Sequence, residues 1–237
     1  MSTPTIVLVH GAFADSASYA PVTRALLDQG HTVRVPAVPN RSLLGDAAYV
    51  RSVVEQIDGP VLLVGHSYGG AVITVAGAAE NVVGLVYLAG YALDEGESLG
   101  ALQGGFPDSD LAANLVYTPF PVPGAEDGTD VSVDVTAFPE VFAAGVDRRT
   151  TEVLAVSQRP LAALAFGEEA PVAAWRTKPA WGIVSAADHT INPAVERFGY
   201  ERGGFRSVVE LDAPHLVMLS HPDEVVAFIA DAATAVA

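Results

Sequence analysis

The sequence predicts an α/β domain whose six-stranded, mostly parallel sheet is interrupted by an inserted small, mainly helical cap. Three observations predict it. Short apolar runs without alternation, such as TIVLVH, PVLLVG and VVGLVYLAG, read as strands buried on both faces, the condition of a parallel sheet. Segments of helical period separate them, as crossovers between parallel strands require. From about residue 94 to residue 177 the rhythm stops, and it resumes afterwards. The core is therefore assigned to residues 1–93 and 178–237, and the insertion to 94–177.

Residues 5–10 form the first strand. Residues 18–29 follow as a helix, with Ala20, Val22, Leu26 and Leu27 as its apolar positions and Gly30 to close it. Residues 32–38 are expected as the second strand. A helix over 46–57 follows, capped by Asp46 or by the residues just before it. The third strand spans 60–65, the third helix 68–79 and the fourth strand 83–89. Inside the insertion no buried-strand run occurs, and short helical patterns cover 110–115, 136–144, 150–157 and 160–165. The stretch 119–130 reads as a long loop of the kind that often serves as a lid. Strands at 180–185 and 206–211 complete the sheet. A last helix over 222–233 carries Pro222 in its first turn.

The composition bounds the function. Half of the 237 residues are hydrophobic, enough for a large core, yet no apolar run approaches the roughly 20 residues that cross a bilayer. Cysteine is absent, which excludes disulfides, thiolate metal sites and cysteine nucleophiles. The formal net charge of -16 argues against nucleic acid or an anionic membrane as partner, because both are recognised through Lys and Arg. The start MSTPT lacks basic residues and runs straight into a strand, so no secretory leader and a cytoplasmic location are expected. A homodimer stays open, since no exposed apolar stripe identifies itself.

The chemistry centres on Gly65-His66-Ser67-Tyr68-Gly69, a G-x-S-x-G pentapeptide. In a chain this rich in glycine the bare pattern is weak. Its context is not: a buried-strand run precedes it and a helical run follows, which suits a sharp bend presenting a serine. A serine hydroxyl needs a base to take its proton. Of the histidines downstream, His189 directly follows an acidic residue on a short turn, and His221 opens a helix. His215 lies past the last strand, at the sheet edge where ligands bind, and is preferred. Asp188, after the strand at 180–185, is the preferred acid. Asp212 is its rival, and reads better as a turn or capping residue. The oxyanion of an acyl-transfer intermediate needs two donors, expected from the backbone N–H groups of Ala12 and Tyr68. The side chain of His10 reads as a buried structural imidazole. The cavity lining is expected from Phe13, Tyr68, Tyr91 and Leu216, with Phe120, Phe138, Phe142 and Trp175 from the insertion.

VLVHGAFADSASY, GHSYGG, LVYLAGYALDEGES, the Asp188 turn and PHLVMLSHP together resemble the bacterial α/β-hydrolases related to plant methyl-ester esterases and hydroxynitrile lyases. The likeness covers essentially the whole chain and is weakest in the insertion. It implies an α/β-hydrolase core with a small helical cap, no metal or organic cofactor, and a triad of Ser67, Asp188 and His215. The lyase branch of that family carries Thr where this chain has Gly11, and Lys directly after the catalytic histidine. Here Leu216 follows His215, and Lys178 is the single lysine. The expectation is hydrolysis of a carboxylic ester of a small apolar or aromatic substrate through an acyl-enzyme. Lactones, thioesters or amides would use the same groups. Cofactor-free lyase chemistry and a ligand-binding role on the same scaffold are the other readings.

Overall fold

The computed structural model describes residues 3–237. The first half of the core runs β1 (Thr5–Val9), α1 (Ala20–Asp28), β2 (Val33–Arg34), α2 (Leu43–Glu55), β3 (Val61–His66), α3 (Tyr68–Ala76) and β4 (Val82–Leu88). The insertion holds α4 (Leu99–Gln103), β5 (Leu115–Phe120), β6 (Gly128–Val133), α5 (Phe138–Val141), α6 (Arg148–Val156), β7 (Leu161–Ala162) and α7 (Leu164–Gly167). The core resumes with β8 (Ala180–Ser185), α8 (Pro193–Arg202), β9 (Ser207–Leu211), α9 (Val217–Ser220) and α10 (Pro222–Ala235).

The main sheet has the order β2-β1-β3-β4-β8-β9, and every neighbouring pair is parallel. Six fully buried residues make β3 its centre. Unbroken apolar sequence and burial on both faces are two aspects of one fact, because helices cover both sides. Helix α1 packs with α10, and α2 with α3. The registers pair Val9 with Gly65, His66 with Leu88 and Ser185 with Leu211. The loops leaving β1, β3, β8 and β9 consequently open along one edge.

Three expectations change. The second strand shrinks to Val33–Arg34, because Pro36 has no N–H and the Val38 N–H is taken by the ring of His10 at 2.9 Å. Helix α2 starts earlier than expected, at Leu43, where the Ser42 hydroxyl accepts the Gly45 N–H at 3.1 Å. The largest change lies in the insertion, whose helices are joined by a small sheet that the sequence did not announce. Residues 119–130 hold the paired ends of β5 and β6 and the turn 121–127 between them rather than one long loop, and β7 adds antiparallel to β6 in a three-stranded sheet. The expected helix at 160–165 becomes β7 and the start of α7, and that at 110–115 a 3-10 turn, Asp110–Asn114. The helix at 136–144 contracts to four residues.

Backbone contacts fasten the insertion to the core, among them Leu111 N–H to His189 O at 3.2 Å. The Phe13 N–H donates to Arg159 O at 3.0 Å, and the Ala162 N–H to Asn40 O at 2.9 Å.

Candidate active site

Ser67 stands at the bend between β3 and α3 with φ 55 and ψ -123, a conformation that an L-residue adopts only under constraint. The constraints are local. The Ser67 N–H donates to Leu88 O at 3.1 Å, and its carbonyl accepts from Gly70 at 2.9 Å and Tyr91 at 3.2 Å. The next turn presses on β1: a Cβ at Gly69 would lie 2.3 Å from the Val9 carbonyl oxygen. Glycine there is a steric demand.

His215 and Asp188 meet at the same edge. Both side chains are fully buried, and the His215 Nδ1–H donates to Asp188 Oδ2 at 2.6 Å. Asp188 is held by its own turn, since Oδ1 accepts the Thr190 N–H at 2.6 Å and the Ile191 N–H at 3.0 Å. These three bonds fix the imidazole as the Nδ1–H tautomer and leave Nε2 as an acceptor. Nε2 has no partner among the described residues, so a Ser67–His215 hydrogen bond is not made here.

His66, the residue before Ser67, links the two loops. Its Nε2–H donates to the His215 carbonyl at 2.9 Å, and the rings lie 4.6 Å apart between centroids. Burial, together with the nearby His215, holds the His66 pKa well below the usual imidazole value. It stays neutral and keeps its donor.

The loop after β1 supplies the other wall. A Cβ at Gly11 would come 2.8 Å from Ser67 Cβ, so the missing side chain lets this loop approach the bend this closely. The Gly11 carbonyl accepts from His10 Nδ1–H at 2.9 Å and from Asn40 Nδ2–H at 3.4 Å. In a trans peptide the N–H points opposite to the carbonyl, and that N–H belongs to Ala12. His10 thereby aims a backbone donor. Its Nε2 accepts from Val38, and burial lowers its pKa, so both ring positions depend on the neutral form. Among the described residues, neither the Ala12 nor the Tyr68 N–H makes a hydrogen bond.

A cavity of about 280 Å³ opens over these groups. From the core, Ala12, Phe13, Ser67, Tyr68 and Tyr91 line it. From the insertion come Leu99, Leu111, Leu115, Leu161 and Phe166, which the sequence did not single out. Asp108 lies at the lining as well, and no Arg or Lys does. The other aromatics expected there are elsewhere. Phe120 sits under the Arg41 guanidinium, 4.9 Å from it. Phe138 packs on Phe142, and Phe142 stands 5.0 Å from the His215 ring, behind the cavity wall. Trp175 donates its indole N–H to Leu93 O at 2.7 Å, and Leu216 is buried beside His215. Ring size reveals burial in a sequence, but not the direction in which a ring faces.

The rival groups are also accounted for. His189 pairs with Asp110 at the surface at 2.7 Å, His221 contacts Ser220 Oγ at 2.9 Å, and Asp212 is exposed. Among the described residues no cluster of three or more His, Asp or Glu is arranged to hold a metal ion, and no helix is long and apolar enough to cross a membrane.

The model of the family described as "Alpha/beta hydrolase family" matches residues 6–228. A carbendazim hydrolyzing esterase from Nocardioides sp. (strain SG-4G) is 38% identical over 113 residues, 40% of this chain and 46% of that protein. The match thus spans less than half the length of that relative. A pyrethroid hydrolase from Sphingobium faniae JZ-2 has a similar structure, with TM-score 0.78 and 22% identity over 99% of this chain and 98% of the other. Polyneuridine aldehyde esterase aligns with TM-score 0.83 and 19% identity over 98% and 99% of the two chains. At such identities these two likenesses speak for the fold.

Proposed function

The chain belongs to the alpha/beta hydrolase family, and from that premise we propose that it hydrolyses a carboxylic ester of a small, neutral, largely apolar substrate through an acyl-enzyme. One observation carries this reading: a buried imidazole, fixed by Asp188 at 2.6 Å, keeps its Nε2 uncommitted at the edge where Ser67 is held strained. The insertion, residues 94–177, serves as the cap that closes the cavity.

In the first half-reaction the Ser67 Oγ bonds to the ester carbonyl carbon while its proton passes to His215 Nε2. Asp188 stabilises the imidazolium that results. The negative charge formed on the carbonyl oxygen is met by the N–H groups of Ala12 and Tyr68, already aimed and free of other bonds. Collapse expels the alcohol, which takes the proton from His215. In the second half-reaction a water loses a proton to His215 and attacks the acyl carbon, and Ser67 leaves with its proton restored. Hydrogen bonds of this kind are often long before substrate binds and tighten in the complex.

Substrate preference follows from the lining. A largely apolar lining, with Gln103 and Thr190 as neutral polar groups, one carboxylate and no Arg or Lys, favours neutral esters over anionic ones. The names of the relatives make carbendazim and a pyrethroid reasonable members of a substrate panel, beside short-chain aryl esters. Lyase chemistry lacks the cation that would receive an anionic leaving group, since Leu216 follows His215.

Hydrolysis of an aryl ester should fall by about 10⁴-fold or more in kcat in Ser67→Ala. Retention of most of the activity in that variant would defeat the proposal.

A further inference from the structure

Behind the Asp188–His215 pair lies a second carboxyl that the steps above do not use. Glu196, in the first turn of α8, is 1% exposed. Its Oε2 accepts the Ser185 N–H at 3.0 Å. Its Oε1 is buried and has no donor facing it among the described residues. What stands within hydrogen-bonding reach is Asp188, whose N–H donates back to the Ser185 carbonyl at 3.3 Å. Asp188 already accepts from Thr190, Ile191 and His215, the surroundings of a carboxylate with no proton to offer. Two carboxylate charges in contact and out of water cost far more than neutralising one of them. The proton belongs on the member with fewer donors. That member is Glu196.

We propose that Glu196 is a neutral acid whose Oε1–H donates to Asp188, which makes it a positioning residue for the Asp188–His215 pair. This rests on the reading that those two are the acid and the base of the reaction. Burial, and then the charge of Asp188, push the Glu196 carboxyl well above the usual carboxylate range. The other groups facing it do not reverse this. Arg197, next on the helix, is spent at the surface in two bonds to Glu210, at 2.9 and 2.6 Å. Tyr91 and Tyr200 are kept as neutral phenols by burial. His215 engages the Oδ2 of Asp188. A bond donated by Glu196 spreads the charge of Asp188, so Asp188 holds an imidazolium less tightly than a bare carboxylate would.

Glutamine reproduces both bonds of a neutral acid, accepting from Ser185 and donating to Asp188, whereas methionine reproduces neither. Infrared difference spectra at neutral pH should show the carbonyl band of a protonated carboxylic acid in the wild type that is missing in Glu196→Gln. The subtraction separates this band from any due to Asp46, another carboxyl raised by burial. With a neutral aryl ester, Glu196→Gln should keep most of kcat and the acid limb of the kcat/KM profile. Glu196→Met should lower kcat about tenfold with KM little changed, and move that limb up by about 0.5 pH unit or more. Absence of the band, a Gln variant as impaired as the Met variant, or failure of Glu196→Gln to fold would each overturn the proposal. If the Met variant does not fold, the band and the Gln variant decide. The band needs no turnover, so its presence in a protein that hydrolyses no ester would remove the hydrolytic reading and leave a neutral Glu196 standing.

Discussion

Gly69 shows how tightly single residues bind this site to its scaffold. A methyl group there would sit 2.3 Å from the Val9 carbonyl oxygen, which no rotamer relieves because both partners are backbone. Gly69→Ala should therefore cost about 3 kcal/mol of stability, read as a fall in Tm, and should lower activity further by shifting the Tyr68 N–H. An unchanged Tm would show that the bend is looser than described. The pentapeptide was legible because its demands are local: a strand, a strained serine and small neighbours, all within a few residues. Asp188 and His215 were legible by a different route, as polar residues just past strand ends. The work of His66 and His10 was not. Each acts through a backbone carbonyl, of His215 and Gly11 respectively, and no sequence spacing encodes such a bond.

At the level of elements, the hairpin β5–β6 was hidden for a physical reason. Val116, Tyr117, Thr118 and Pro119 are all exposed, so β5 carries no alternation of buried and solvated positions. Its strand character comes from cross-strand pairing, from Leu115 opposite Val133 to Phe120 opposite Gly128. The parallel strands of the core, by contrast, are written in apolar runs. Arg41 couples the two regions. Its guanidinium reaches Asp130 on β6 at 2.6 Å and the Pro160 carbonyl at 3.1 Å from the loop before α2. Both partners of the ion pair are partly exposed, so its worth to stability is about 0.5 kcal/mol. Arg41→Ala should thus leave Tm almost unchanged and raise KM several-fold with kcat little altered, as steady-state kinetics would reveal. Equal KM values would mean that the hairpin does not shape the cavity.

Two properties belong to the whole molecule. The first is its charge of -16. An ester that carries a carboxylate meets repulsion before it reaches the cavity, so its kcat/KM should rise with added salt while that of a neutral isostere stays level. Parallel responses would separate substrate choice from the protein's field. The second is stability against pH. Glu196 is raised above its unfolded value of 4.5, so the folded state retains a proton that the unfolded state releases. From pH 4.5 upward to that raised value, the wild type loses stability as pH rises, by at most about 1.4 kcal/mol per pH unit. Glu196→Gln lacks this contribution. Its Tm relative to wild type should therefore climb as pH rises above about 4.5. A difference that does not vary with pH would mean that Glu196 is ionised in the folded protein.

Strands β4 and β8 are hydrogen-bonded neighbours, although the entire insertion separates them in sequence. The polypeptide leaves the sheet and rejoins it at adjacent slots, so the intervening piece behaves as a cassette. A chimera carrying the corresponding piece of another hydrolase, crossover included, would keep every ladder of the main sheet intact. Substrate range could then be exchanged by a single splice, with the reacting groups left on a foundation the graft never interrupts.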